Sequence, residues 1–276
     1  MKKETEEKYE KLKKLIASYG SAAVAFSGGV DSTLLMRVTH DALKDKCIAI
    51  TATSPAFPKR ETKESEDFCI SCGIRRITFD SDELSNPDYV KNPPDRCYIC
   101  KKHIFTRMLS VAEENGCSVL IEGSNKDDEG DYRPGLIAIG ELGIKSPLRE
   151  VGLYKKEIRE ISEELGLKTF DKVSFACLAS RFVYGEEITR EKLAMVENGE
   201  EILRSLGLRQ FRVRLHGNLA RIEVEEADIK LLVKDETRAH IVKSFKQIGF
   251  DYITLDLVGY RTGSMNEVII KNIPKK

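Results

Sequence analysis

An apolar stretch from Ala22 to Phe26 runs directly into Ser27-Gly28-Gly29-Val30-Asp31-Ser32 and on into a helix-forming segment from Thr33 to Leu43. A strand that passes through a Gly-Gly turn into a helix opens a βα unit, and such a turn attracts anions. Gly28 and Gly29 let the backbone take conformations closed to other residues and bring N–H groups close to an anion. Ser27 and Ser32 add hydroxyl donors, and the helix points its positive end at the same place. Asp31 alone would repel a phosphate, so its predicted task is to hold a Mg²⁺ bridging phosphate oxygens. A plain turn needs neither the two serines nor the aspartate. No Gly-Lys-Ser/Thr closes the loop, which sets it apart from the other common phosphate loop.

The segments after it alternate. Strand 47–53 is followed by helix 59–72, strand 75–79 by a loop and helix 98–115, and strand 118–122 by a polar loop. This predicts an α/β fold, a doubly wound parallel sheet, over 1–185. Ligands of such sheets bind at the carboxyl ends of the strands, so Ser27–Ser32, Thr51–Ser54 and Glu122–Asn125 fall on the functional edge. Thr53 is placed there to receive the base and ribose of a nucleotide. From about Glu186 the pattern changes to helix 189–206, strand 210–215, strand 219–224, helix 226–247 and strand 252–258, with His216-Gly217-Asn218 as a hairpin turn. A smaller α+β subdomain is predicted over 186–276.

Forty-five basic residues balance 45 acidic ones, so no overall field draws the chain to nucleic acid or to an anionic membrane. No apolar run approaches the ~20 residues that span a bilayer, and the charged N-terminal segment lacks the apolar core of a signal peptide. A cytoplasmic location is expected. Seven cysteines in a reducing compartment are thiols or metal ligands rather than a disulfide framework. Cys47 and Cys117 border strands and read as small core residues. Cys69 with Cys72 and Cys97 with Cys100 form two CxxC pairs, and Cys177 stands alone. Four cysteines from the two pairs would suit zinc, although an i, i+3 spacing inside helix 59–72 equally describes a packed face. One CxxC plus one distant cysteine has the three thiolates that leave the fourth iron of a [4Fe–4S] cluster open. As a nucleophile, Cys177 would gain thiolate character from Arg181.

Two further clusters carry chemistry. The loop after strand 118–122 holds Asp128, Glu129, Asp131 and Arg133. Its carboxylates suit a metal or a cationic ring, and Arg133 suits the charge of departing pyrophosphate. Arg212 and Arg214 alternate on one strand face with Arg221 on the partner strand, the spacing equally of a bidentate clamp for phosphate and of a surface-charged strand.

The six-residue loop resembles the PP-loop of the ATP pyrophosphatases, a fold also described as adenine nucleotide alpha hydrolase-like. Taken with the 128–136 segment, Cys177-Leu178-Ala179-Ser180-Arg181-Phe182, the Arg212-Val213-Arg214 strand and the 259–266 segment, the chain resembles the LarE family from about Tyr19 to Asn266. That resemblance implies an ATP-dependent sulfur transferase of nickel-pincer cofactor assembly for lactate racemase. Such enzymes adenylate the carboxylates of pyridinium-3,5-biscarboxylic acid mononucleotide and replace them with thiocarboxylates. One type of the family sacrifices the sulfur of the cysteine matching Cys177 and keeps dehydroalanine. It has an aromatic residue at the position of Cys97 and no CxxC. Cys97 and Cys100 depart from it and are similar to the other type, in which three cysteines hold a [4Fe–4S] cluster with a transferable sulfide.

By that resemblance Ser27, Gly28, Gly29, Asp31 and Ser32 bind the ATP phosphates with Mg²⁺, and Cys97, Cys100 and Cys177 ligate the cluster. Glu129, Ser180, Arg181, Arg212 and Arg214 contact substrate or pyrophosphate, beside Arg133, which the loop's own residues suggest. A hexameric homo-oligomer is expected, with no nucleic-acid partner and no membrane. A PP-loop tRNA thiolase shares the loop and the cysteine pattern, but should carry a basic face for tRNA. A non-catalytic nucleotide-binding or metal-storage module is the remaining alternative.

Overall fold

The computed structural model describes residues 1–129, 134–173, 176–261 and 263–266. In chain order its main elements are α1 (Lys3–Ser18), β1 (Ala22–Ala25), α2 (Val30–Leu43), β2 (Cys47–Thr53), α3 (Lys59–Cys72), β3 (Arg76–Asp80), α4 (Pro87–Val90) and α5 (Arg96–Glu114). They continue with β4 (Leu120–Ile121), α6 (Pro134–Glu141), α7 (Pro147–Glu150), α8 (Lys155–Glu164), α9 (Arg190–Ser205), β5 (Phe211–His216), β6 (Leu219–Val224), α10 (Glu226–Leu232), α11 (Asp235–Ile248) and β7 (Tyr252–Leu255). Two compact units form: Met1–Glu83 with Cys97–Phe175, and Leu84–Arg96 with Ala176–Lys276.

The first unit is built on a parallel sheet of order β3-β2-β1-β4. Ala22 and Val24 face a core shared with Leu12 and Ile16 of α1, Leu34, Leu35 and Val38 of α2, and Ile158 and Ile161 of α8. Ala23, Ile48 and Ile50 face the other way, onto Ile104, Phe105 and Met108 of α5 and Ile139 of α6. Burial on both faces is why these strands are almost continuously apolar, as the doubly wound reading requires. The order in which strands are added reverses at β1: β2 and β3 lie on one side of it, and β4 on the other. A crevice opens at such a reversal beyond the carboxyl ends of the two strands, bounded here by Ser27–Ser32 and Glu122–Asn125.

The second unit carries the sheet β5-β6-β7. The hairpin pairs His216 with Leu219 across Gly217 and Asn218, and β7 runs parallel to β6. Thr189 caps α9 by accepting from the Lys192 amide at 3.2 Å. The single helix expected over 226–247 is divided, ending at Leu232 and restarting at Asp235, where Asp235 and Glu236 favour a helix start.

Residues 84–96 also belong to this unit, for a polar reason. Asn92, fully buried, donates from its side chain to the Val183 carbonyl at 2.7 Å, and its own carbonyl accepts from the Gly185 amide at 2.9 Å. Arg96 donates to the Ala179 carbonyl at 2.9 Å and to Asn92. The bonds to 179–185 join residues about ninety positions apart and leave no local pattern in the sequence.

Candidate functional site: a phosphate loop and a cysteine segment

At the crevice of the first unit the chain turns tightly. Gly28 lies at φ 75°, and a Cβ there would stand 2.9 Å from the Ser65 Cβ, so both conformation and space demand glycine. The Ser27 and Ser32 hydroxyls are 3.0 Å apart, and Ser32 donates to the Gly29 carbonyl at 3.2 Å. The Thr33 amide closes the first turn of α2 on the same carbonyl at 2.9 Å. From the β4 side, Gly123 packs so closely that a Cβ would lie 3.1 Å from the Ser32 amide nitrogen. Buried Glu122 holds this second loop by accepting from the Ser124 amide at 3.0 Å, from the Ser124 hydroxyl at 2.8 Å and from Ser146.

Two lysines that carry no signal in the sequence meet the loop. Lys172 donates to the Gly28 carbonyl at 3.0 Å and is paired with Glu61 at 2.6 Å and Glu64 at 2.7 Å. A carbonyl pinned in this way stiffens the turn that presents the loop amides. Lys155, the first residue of α8, forms an ion pair with Asp31, whose other oxygen accepts from the Asn125 side chain at 3.2 Å. Neither lysine was legible locally, because 124 and 144 residues separate them from their partners.

The Thr53 hydroxyl donates to the Phe79 carbonyl at 3.1 Å, tying β2 to β3 at the functional edge. Beside it, buried Glu83 accepts from Ser54 and Ser81. Glu129 is exposed and paired with Lys126 at 2.5 Å, and Asp128 accepts from the Asn125 amide at 2.9 Å, capping the turn. Arg133 and Asp131 lie outside the described residues.

The cysteines separate by environment. Cys69 is buried in the α3 core face, and burial pushes its thiol up to about 12. Cys47 is likewise pushed up to about 11 by burial. Cys72 packs at the margin of the same core as Cys69. Cys69 and Cys72 thus sit where the packed-face reading puts them. By contrast Cys97 is exposed and Cys100 half-buried, both in the first turns of α5 and three residues apart, hence on one helix face. Among the described residues no group of three His, Cys, Asp or Glu side chains is arranged to hold a metal ion. A thiol with a raised pKa carries little thiolate at pH 8. In metal-free protein, iodoacetamide at that pH should therefore alkylate exposed Cys97 and leave Cys47 and Cys69 unmodified, read by peptide mass spectrometry; early labelling of Cys69 would contradict its placement.

In the second unit, half-buried Cys177 precedes the short 3-10 turn Leu178–Arg181. Arg181 is fully buried. It donates to both oxygens of Glu200 at 2.8 and 3.0 Å and to the carbonyls of Ala176 at 2.8 Å and Cys177 at 3.3 Å. Its guanidinium is thus committed to shaping the cysteine segment. A further contact goes to the Ser180 hydroxyl at 2.9 Å.

Arg214 donates to Glu223 at 2.8 and 3.0 Å, to the Ser180 carbonyl at 3.1 Å and to Ser264 at 3.0 Å. Arg212 stacks over the Tyr260 ring at 5.1 Å. Burial, and then the nearby charge of Arg181, lowers the Arg212 guanidinium to about 10. A bound anion would relieve that pressure. Gly259 and Tyr260 pack against β6 beside this cluster: Tyr260 donates its amide to the Val224 carbonyl at 2.8 Å, and a Cβ on Gly259 would meet the same oxygen at 2.8 Å.

The parallel sheet, its order and the phosphate loop at the point of reversal define a PP-loop ATP pyrophosphatase fold with a smaller second sheet. No protein-family model matches the chain. It is 43% identical over 266 residues to an uncharacterized protein of Synechocystis, covering 96% of this chain and 99% of that one. It is 38% identical over 249 residues, 90% of each chain, to the pyridinium-3,5-bisthiocarboxylic acid mononucleotide synthase of Lactiplantibacillus plantarum. One component of the glutamine-hydrolyzing GMP synthase of Archaeoglobus fulgidus is 28% identical over 199 residues, 67% of this chain and 64% of that one. The chain belongs to the LarE family.

Proposed function

We propose that this chain is an ATP-dependent sulfur transferase that converts the carboxylates of pyridinium-3,5-biscarboxylic acid mononucleotide into thiocarboxylates. The observation that carries the reading is a glycine-serine phosphate loop at the sheet's reversal point, in a chain 38% identical over 90% of its length to a bisthiocarboxylate synthase. Ser27, Ser32 and the loop amides bind the phosphates, with Gly28 fixed by Lys172. A substrate carboxylate oxygen attacks the α-phosphorus, the bond to the β-phosphate oxygen breaks, and pyrophosphate leaves. A sulfur nucleophile then attacks the acyl carbon, and AMP departs with the former carboxylate oxygen. Asp31 would hold Mg²⁺, which spreads the phosphate charge.

Cys97, Cys100 and Cys177 would hold a [4Fe–4S] cluster, which supplies a transferable sulfide when bound. The exposed, same-face placement of Cys97 and Cys100 supports this donor set over core thiols such as Cys69. In the sacrificial alternative Cys177 supplies its own sulfur and is left as dehydroalanine. Arg212 and Arg214, whose site leaves Arg212 under electrostatic pressure, hold the substrate phosphate. Ser180, Glu129 and Arg133 contact substrate or pyrophosphate, and Arg181 positions Cys177. No helix among the described residues is long and apolar enough to cross a membrane. Exposed Tyr252, Leu257 and Val258 at the β7 end support assembly as a homo-oligomer, a hexamer by family resemblance.

Pyrophosphate release tests the reading. Purified protein with ATP and Mg²⁺ should release pyrophosphate only when the biscarboxylate mononucleotide is added, and Asp31→Asn should slow it at least about a hundredfold. Release with tRNA and none with the mononucleotide would move the chain to the tRNA thiolases. No release with either would leave only a nucleotide-binding module.

A further inference from the structure

Asp31, the one carboxylate of the phosphate loop, is already satisfied by the protein. One of its oxygens accepts from the Asn125 side chain and the other is paired with the Lys155 ammonium. A divalent cation needs those same oxygens. The two lysines at the loop differ in how firmly they are held. Lys172 has three acceptors around its ammonium and is 12% exposed. Lys155 has Asp31 as its ion-pair partner; the Lys155 and Asp31 side chains are 29% and 23% exposed. Its backbone is fixed by donation of its amide to Asp127 at 2.7 Å, whereas its charge rides on a flexible four-carbon stem.

We infer that Lys155 is an exchangeable counter-cation. In the empty loop it neutralises Asp31 and keeps divalent metal off. When a nucleoside triphosphate enters, its phosphate oxygens offer Lys155 a second partner, the ammonium leaves Asp31, and the metal takes its place. The aspartate keeps a cation throughout, and no uncompensated carboxylate forms. Metal and nucleotide therefore bind as coupled ligands, each strengthening the other, with Lys155 carrying part of the coupling. This rests on the proposed ATP reading of the loop and adds to it an order of binding built into the chain.

Mn²⁺ serves as the probe, its free concentration followed by electron paramagnetic resonance, with full-length protein in the presence and absence of a non-hydrolysable ATP analogue. Wild type should bind Mn²⁺ weakly alone and tightly with the analogue. Lys155→Met and Lys155→Gln should bind Mn²⁺ alone about tenfold more tightly than wild type and gain less from the analogue. Lys155→Arg should behave as wild type. Lys156→Met, which removes the same charge from a neighbouring exposed residue, should also match wild type. Unchanged or weaker Mn²⁺ binding in both neutral Lys155 variants would overturn the inference, as would an equal gain in Lys156→Met. Both of those results leave analogue binding by wild type intact. Wild type that fails to bind the analogue at all would instead remove the ATP reading, and the exchange with it.

Discussion

Glu200→Ala should lower the melting temperature of the second unit by more than about 10 °C. The guanidinium of Arg181 is fully buried and spends two bonds on Glu200, which also accepts from the Val213 amide at 3.1 Å. Removing one partner of a buried ion pair leaves the other charge without solvent or counter-ion, at a cost of about 3–5 kcal/mol. For a unit of roughly 100 residues each kcal/mol is worth about 4–8 °C. Removing both partners, as Arg181→Met with Glu200→Leu, should recover much of the loss, because the desolvation penalty disappears with the charges. Differential scanning calorimetry decides the point, and a shift under about 2 °C for Glu200→Ala would contradict the buried pair. The double variant is the more informative for function. It should fold yet transfer sulfur poorly, since the Ala176 and Cys177 carbonyls lose the donor that shapes their turn.

The second large effect lies in the sulfur step. Cys177→Ser should reduce thiocarboxylate formation at least about a thousandfold, in line with losing a group that acts on the reacting carbon. Substrate-dependent pyrophosphate release should persist, because the loop proposed to perform it belongs to the other unit. Cys97→Ser separates the two sulfur sources. It should abolish transfer if three thiols carry the sulfide, and spare it if Cys177 gives up its own sulfur. Quantifying pyrophosphate and thiocarboxylate in the same reaction distinguishes a lost sulfur step from a lost activation step.

What could be read from the sequence was whatever has a local signature. The Ser27–Ser32 turn, the apolar strands and Gly73 as the cap of α3, at φ 66°, all follow from neighbours in the chain. The β5–β6 hairpin did too, since Gly217 and Asn218 sit between two alternating strands. Charge partners did not. Asp31 reads as a metal ligand, but its pairing with Lys155 appears only when α8 docks on α2. Arg212 and Arg214 read as a free clamp, and the carboxylate between them becomes visible only in register, where Arg212 lies opposite Glu223 and Arg214 opposite Arg221. Membership of 84–96 in the second unit rests on Asn92 and Arg96, polar residues whose bonds to 179–185 carry no periodicity. Local chemistry therefore marked the candidate groups, and long-range packing revealed what holds them.

In the proposed function an ATP-cleaving loop and a cysteine set work on one substrate. Its most direct test is a single anaerobic reaction of purified protein, ATP, Mg²⁺ and the pyridinium biscarboxylate mononucleotide, with product and polypeptide masses measured together. Thiocarboxylate should form in step with pyrophosphate, with iron and sulfide present in the protein and Cys177 unchanged in mass. Colourless, iron-free protein that forms thiocarboxylate while Cys177 becomes dehydroalanine would contradict the cluster source, and pyrophosphate release without any thiocarboxylate would contradict sulfur transfer altogether.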